Sequence, residues 1–162
     1  LGSRMPFLSL RNGLTLAAAL CPLLLNAEVK FERVWPGYRS AESFTTISEY
    51  FGNAPGATAR TALRTQPDER DGYYWLTRTK TKDAYPASTL KVEVTRAGET
   101  EPTTYSFKYD VTAGSRAVFV GLTGTDWAAP EAAPVAWRLT LLDADGNLLA
   151  SHHSFLWDQP NS

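Results

Sequence analysis

Residues 71–78 constrain the fold of this chain most. Their sequence, Asp-Gly-Tyr-Tyr-Trp-Leu-Thr-Arg, is a turn signal followed at once by the most aromatic strand-like run of the chain. Tyr and Trp favour the pleated, half-buried surface of a sheet, and successive side chains on a strand point to opposite faces. Tyr73 and Trp75 are therefore predicted to share one face, and Tyr74 and Leu76 the other. Because both faces carry large side chains, we expect this strand to lie centrally in a sheet.

Short strand-like segments separated by polar turns fill most of the chain on either side of this run. The strand candidates are residues 29–35, 60–65, 73–79, 89–97, 103–111, 116–123, 135–142 and 148–157. They are rich in β-branched and aromatic residues, and most alternate apolar with polar side chains, as half-buried strands do. Pro36-Gly37 is expected to end the first candidate, and residues 80–88, which contain Tyr85-Pro86, are expected to form a loop.

One helix is predicted between the first two strand candidates, at about residues 41–51. Ser40 suits the N-cap position, and Phe44 and Ile47 begin an apolar series at helical spacing. The rest of the chain shows no alternation of strands with helices. That pattern predicts an all-β fold, an antiparallel β-sandwich with one short helix.

The last two strand candidates are joined by residues 143–147, Asp-Ala-Asp-Gly-Asn, which are a tight hairpin signal. With a final strand ending in Phe155-Leu156-Trp157, this hairpin resembles the last two strands of immunoglobulin-like and fibronectin-type-III-like domains. The resemblance covers residues 89–157 and is architectural, because the Cys–Trp–Cys pattern of true immunoglobulin domains is absent. It implies an immunoglobulin-like β-sandwich of about seven to eight strands, and it transfers no site residue.

Residues 1–27 have the features of an export signal. After an N-terminal remnant, Leu1–Arg4, Arg11 supplies positive charge and residues 14–25 form a largely apolar run of 12 residues. This run is shorter than the roughly 20 residues that cross a bilayer, and a small residue, Ala27, offers a cleavage site. We therefore expect a cleaved secretory signal, a single domain at residues 28–162 with no stable membrane span, and a periplasmic or extracellular location.

Charge and cysteine content narrow the classes of function further. Loss of residues 1–27 removes Arg4 and Arg11, so the formal net charge falls from −1 to −3. A nucleic-acid binder normally carries a basic field, so no nucleic-acid partner is expected. The one cysteine, Cys21, lies in the signal, and the domain must be held together by burial without disulfides. Lipidation at Cys21 and an uncleaved N-terminal anchor are the alternatives to removal of the signal.

The sequence carries no clear catalytic or metal-binding signature. The only histidines, His152 and His153, are adjacent, so on a strand they would point to opposite faces and could not readily share a metal ion. The acidic turn at residues 143–147 departs from the spacing of a calcium loop, and no Gly-x-Ser-x-Gly nucleophile motif is present. No cofactor or metal is expected, and a non-enzyme is favoured over an enzyme.

Aromatic residues in loops and a group of arginines are the remaining candidates for a binding site. Trp127, Tyr85 and Tyr38 lie in segments rich in Pro, Gly or polar residues. There, exposed rings could stack on sugars; alternatively, the rings cap the ends of the core. Arg60 and Arg64 share one face of a strand candidate. They could bind a carboxylate or phosphate, or pair with acidic residues across the sheet.

Three functions remain open on this basis. The first is an exported, non-catalytic β-sandwich module that makes protein–protein contacts in or outside the cell envelope, through an exposed apolar patch or an unpaired strand edge. The second is a carbohydrate-binding module that uses Trp127 with Tyr85 or Tyr38, so that the partner is a polysaccharide instead of a protein. The third is a small envelope hydrolase, which would need His152 or His153 beside a carboxylate and a hydroxyl group.

Overall fold

Strands dominate the secondary structure of the domain. The computed structural model describes residues 29–44, 61–127 and 129–158. Its strands are β1 (Lys30–Arg39), β2 (Thr61–Arg64), β3 (Gly72–Thr81), β4 (Tyr85–Thr95), β5 (Thr103–Val111), β6 (Gly114–Thr123), β7 (Ala136–Leu142) and β8 (Leu148–His153). Two short 3-10 turns, Gly124–Trp127 and Phe155–Asp158, follow β6 and β8. Residues 41–44 are helical, whereas the rest of the helix predicted at residues 41–51, the predicted signal and Arg60 lie outside the described residues.

The strands form two four-stranded sheets, in the orders β1-β3-β6-β2 and β5-β4-β7-β8. The predicted all-β sandwich is therefore confirmed. The aromatic strand β3 lies between β1 and β6, which is the central position that large side chains on both of its faces predicted. No helix in the described part of the chain has the length and apolar character needed to cross a membrane.

The inner faces of the two sheets enclose one aromatic and aliphatic core. Trp75 on β3 is fully buried, and its ring lies 6.0 Å from that of Trp137 on β7 and 5.1 Å from that of Tyr73. Leu, Val and Tyr side chains of β4, β5 and β6 complete the core. On the outer face of the first sheet, the ring of Tyr74 is covered by that of Phe44, 4.9 Å away. The helical residues 41–44 thus lie against the sandwich, as large side chains on both faces of β3 require.

Strand β1 is longer than predicted, because it continues through Pro36-Gly37 to Arg39. Proline is tolerated on an edge strand, where no partner needs its missing N–H, and β1 is an edge strand. A register shift between Phe31 and Arg33 marks a bulge at Glu32. The bulge explains the imperfect alternation of the sequence, since it returns Val34 to the inner face that Phe31 occupies.

Strand β2 corrects the expectation of a wholly antiparallel sandwich, because it pairs with β6 in parallel. It is only four residues long and lies at the edge of its sheet opposite to β1. A short alternating pattern specifies the two faces of a strand and carries no information about the direction of its neighbour.

The loop predicted at residues 80–88 is also corrected, because β4 already begins at Tyr85. Pro86 and Ala87 occupy a register shift between Tyr85 and Ser88. Ala87 has a φ of 53°, and its N–H donates to the Asp110 carboxylate at 2.7 Å. An irregularity in the strand thus accommodates a proline that would interrupt a regular ladder.

The last strand ends earlier than predicted. Strand β8 stops at His153, and Phe155-Leu156-Trp157 belongs to the second 3-10 turn. At Ser154 the N–H still donates to the Trp137 carbonyl oxygen at 2.9 Å, but the side-chain Oγ, in place of a backbone carbonyl, accepts the Trp137 N–H at 3.0 Å. The chain then folds back over the outer face of the second sheet, where the ring of Trp157 lies 4.7 Å from the Arg138 guanidinium.

Candidate functional site

The two sides of the sandwich differ. On one side the edge strands β1 and β8 contact each other and close the space between the sheets. On the other side the edge strands β2 and β5 border a cleft of about 380 Å³. We call this space the edge cleft. It is lined by Ala62, Leu63, Arg64 and Pro67 on one wall and by Ser106, Phe107 and Lys108 on the other.

The edge cleft has an apolar floor and a basic rim. Leu63 and Phe107 are partly buried and pack against the core, whereas Arg64 and Lys108 bring two positive charges. No carboxylate is among the lining residues. A cleft of this character suits an apolar side chain whose neighbours carry negative charge.

Arg64 is held in place by the outer face of the first sheet. Its Nε donates to the Tyr74 Oη at 2.8 Å, and that hydroxyl donates in turn to the Arg70 carbonyl oxygen at 2.8 Å. The guanidinium also lies 5.2 Å from the ring of Phe44. Burial is the main cause that raises the pKa of Tyr74, so the hydroxyl stays protonated and available to both partners. Arg64 therefore has a defined position at the rim, as a recognition residue requires.

Strand β5 brings a second feature to the edge cleft, its open edge. It is nine residues long and its only strand partner in the described part of the chain is β4. The N–H and C=O groups along its other edge are therefore available for pairing with an added strand. Phe107 and Lys108 lie in the middle of this strand, beside the cleft.

The three aromatic residues predicted to bind sugars are not brought together on one exposed face. Trp127 is only 6% exposed; its ring lies 5.1 Å from that of Tyr73 and 5.2 Å from the Arg96 guanidinium. Tyr38 and Tyr85 are half-buried and pack against the core. Both lie on strands and not in loops, which corrects their predicted setting.

The strand register also separates Trp127 from Tyr85. Trp127 follows the end of β6 that pairs with Gly72, at the start of β3, whereas Tyr85 lies just after Thr81, at the other end of β3. The two rings thus lie at opposite ends of the sandwich. This arrangement agrees with the alternative interpretation of the sequence, in which these rings cap the ends of the core.

The two histidines point to opposite faces, as their adjacency predicted. His152 faces inward, with its ring 5.8 Å from that of Trp137, and burial, followed by the charge of His153, lowers its pKa. His153 has its Nε2 3.2 Å from an Asp158 carboxylate oxygen and its Nδ1 3.0 Å from the Ser154 carbonyl oxygen. Both nitrogens of His153 are therefore occupied, and no serine hydroxyl contacts either ring among the described residues.

In the regions that the structure describes, no group of three or more His, Cys, Asp or Glu side chains is placed to hold a metal ion.

The sequence did not predict the edge cleft, and of its lining residues only Arg64 was named as a candidate binding residue. The alternation of residues 103–111 predicted a strand correctly. It could not predict that this strand lies at an edge, because edge position depends on contacts that are distant in sequence.

Comparison with known proteins adds no family to this description. No protein-family model matches the chain, and no curated protein matches it. The fold and the site therefore define the class on their own: an all-β, two-sheet sandwich with an apolar, basic-rimmed cleft between two edge strands.

Proposed function

We propose that this chain is an exported, non-catalytic, immunoglobulin-like binding module that contacts a protein partner through the edge cleft. The observation that carries this proposal is the cleft of about 380 Å³ between β2 and β5. It combines an apolar floor, two cations and an open strand edge in one place. The partner that suits this combination is an extended peptide segment with alternating apolar and acidic side chains.

The order of the strands supports the immunoglobulin-like assignment. When β2 is left aside, the first, second and fifth of the remaining strands form one sheet, and the fourth, third, sixth and seventh form the other. This order is the one found in fibronectin-type-III-like sandwiches, in which the fourth strand pairs with the third. The short β2 is then an addition to the edge of the first sheet.

Strand addition is the mode of binding that the edge cleft favours. An extended peptide that pairs with the free edge of β5 would gain main-chain hydrogen bonds, and alternate side chains would point toward the space between the sheets. An apolar side chain of the peptide could reach Leu63 and Phe107. Acidic neighbours could approach Arg64 and Lys108, where charge-assisted hydrogen bonds are stronger than neutral ones.

Export is the part of the proposal that depends on the sequence alone. Its support is the apolar run at residues 14–25 with Arg11 before it and a small residue at position 27. A protein partner in or outside the cell envelope follows from that location. The carbohydrate-binding alternative loses its main residue with the burial of Trp127. The hydrolase alternative lacks its nucleophile, because no serine hydroxyl contacts either histidine ring in the described regions.

Peptide display with the domain at residues 28–162 tests the proposed contact. We expect panning of a random-peptide library to enrich sequences in which apolar and acidic residues alternate. Lys108→Glu should weaken their binding at least fivefold. Lys82→Glu changes the net charge equally at an exposed position between β3 and β4, outside the lining of the edge cleft, and should leave binding within twofold.

A blocking experiment locates the binding site independently of charge. The domain contains no cysteine, so Ser106→Cys can be labelled with a bulky maleimide inside the edge cleft. Ser151→Cys on β8 provides the matched control at another exposed position. Binding should be lost on labelling at position 106 only. Failure to enrich any peptide, or binding that survives this label, would show that the proposal is wrong.

A further inference from the structure

The outer face of the first sheet carries an arrangement that the edge cleft does not use. In the register of β1 and β3, Arg33 lies directly opposite Arg78, and both side chains are exposed. Residues opposite each other on antiparallel strands have Cβ atoms only about 4.5–5.5 Å apart. Two arginine side chains thus project from neighbouring positions on an open surface, and we call this arrangement the arginine pair.

The arginine pair has no counter-charge within the described part of the chain. The nearest carboxylate in sequence, that of Glu32, lies 3.7 Å from the Lys80 ammonium and accepts the Ser115 hydroxyl at 3.1 Å. Neither arginine forms an ion pair with a described residue. Like charges directly opposite each other on a sheet are destabilising, so the fold alone gives no reason for this pairing.

Trp35 gives the arginine pair a preferred geometry. The Arg33 guanidinium lies 5.5 Å from the centre of the Trp35 ring, and the ring itself is 46% exposed on the same face. A cation–π contact of this kind restricts the arginine side chain and lowers the entropy lost when the guanidinium forms a further hydrogen bond.

The charge around the arginine pair is also positive. Lys30 and Lys80 occupy the next cross-strand position on the same face, and Glu32 is the only carboxylate among these neighbouring residues of β1 and β3. The whole chain, in contrast, has a formal net charge of −1. Positive charge is thus concentrated on one small surface of a protein that is otherwise slightly acidic, and such a surface attracts anions.

We propose that Arg33 and Arg78 form a binding site for a tetrahedral oxyanion, a phosphate or sulfate group, with Trp35 as the residue that orients Arg33. Planar guanidinium groups donate two parallel hydrogen bonds to such oxygens. An anion between the two arginines also removes the repulsion that the free protein carries. This site shares no residue with the lining of the edge cleft, so it can be tested independently of the proposed peptide contact.

Fluorescence and thermal unfolding of the domain test the site. The probes are inorganic phosphate and sulfate as free anions, dextran sulfate as the same group on a polymer, and neutral dextran as the control. We expect the sulfated polymer or the free anions, but not dextran, to change the emission of the exposed Trp35 and raise Tm. Binding to the polymer alone would assign a sulfated or phosphorylated polymer as the ligand, and binding to the free anions would assign a small one.

Matched variants separate this site from general attraction to positive charge. Arg33→Gln with Arg78→Gln should weaken binding at least tenfold, whereas Lys91→Gln with Arg70→Gln, which removes the same charge at positions outside the arginine pair and the lining of the edge cleft, should change it less than twofold. Trp35→Phe should abolish the emission response and weaken binding a few fold.

Measurements without anion distinguish a binding site from a purely structural role of the two arginines. Arg78→Gln relieves the repulsion within the arginine pair, so it should raise Tm slightly without anion while losing the anion-dependent increase. Equal binding by the parent and the double arginine variant would overturn the proposal. So would a lowered Tm of Arg78→Gln without ligand, or the absence of any response of the parent both to millimolar free anions and to dextran sulfate.

Discussion

Gly121 shows how a single residue decides the packing of a whole sheet face. A Cβ atom at this position would lie 2.3 Å from the Tyr74 Cε1 atom, closer than any real van der Waals contact. The absence of a side chain therefore lets the Tyr74 ring lie across β6, where Phe44 covers it. Fixed in this way, the Tyr74 hydroxyl holds Arg64 at the rim of the edge cleft.

Gly121→Ala tests this packing. The added methyl group must displace the ring of a fully buried tyrosine, and overpacking of this kind costs about 1–3 kcal/mol. Gly37→Ala is the control, because a Cβ atom there meets no atom within 4 Å, and it should change the free energy of unfolding by less than about 0.5 kcal/mol. Urea unfolding of both variants gives the comparison; equal stabilities would contradict the packing described.

At the scale of elements, the bulge in β1 determines which side chains of that strand enter the core. Val29 is buried and Phe31 packs against the core before the bulge, and Val34 does so after it. Phe31 and Val34 are three positions apart, and because that difference is odd, strict alternation would place them on opposite faces. The extra residue, Glu32, restores a common face and remains exposed itself.

Deletion of Glu32 is therefore expected to be far more harmful than its substitution. Without the bulge, Val29 and Phe31 turn to the outer face, and the loss of their burial destabilises the fold by about 2–4 kcal/mol. Glu32→Ala keeps the bulge and removes only the exposed contacts with Lys80 and Ser115, which should cost at most about 1 kcal/mol. Denaturant unfolding measures both values, and a deletion no worse than the alanine variant would disprove this role of the bulge.

Strand prediction from the sequence succeeded where alternation alone carries the information. The cores of β4 and β5 and the two faces of β3 were predicted correctly, because period-two burial is a local property. It failed where the neighbouring strands determine whether a residue can belong to a strand. Pro36 is tolerated because β1 is an edge strand, and Pro86 because it lies at an irregularity of β4. The parallel direction of β2 likewise depends on β6.

At the scale of the whole molecule, tyrosine burial is expected to limit stability at high pH. Burial is the largest cause that raises the pKa values of Tyr73, Tyr74 and Tyr109 above the usual value of 10.0. The unfolded chain then loses these protons at a lower pH than the folded protein does. Their contribution to stability is complete below about pH 10 and is lost as the pH rises through the higher values of the folded state.

The free energy of unfolding should therefore fall as the pH rises above about 10. The decline should approach about 1.4 kcal/mol per pH unit for each tyrosine that is ionised only in the unfolded chain. Tyr73→Phe removes one such group, whose pKa is raised by burial alone, and should make the decline shallower. Denaturant titrations at a series of pH values measure the slope, and an unchanged slope in this variant would contradict the prediction.

The candidate site could be predicted only in part, because its residues come from segments that are distant in sequence. Arg64 was identified as a possible anion contact from its place on a strand candidate, but its partners Tyr74 and Phe44 come from other elements. The pairing of Arg33 with Arg78 could not be predicted, because the two residues are 45 positions apart in the chain and meet only through the register of β1 and β3.

The sequence by itself determined that this chain builds sheets, which residues face inward along β3 to β7, and that the aromatic strand must be buried on both sides. These properties depend on the alternation of neighbouring side chains and on the free energy of removing large apolar groups from water. The tertiary structure alone decided which strands lie at edges, that β2 runs parallel to β6, and that an open cleft forms between β2 and β5. Such features arise from pairings between distant segments, and a local pattern is compatible with many of them.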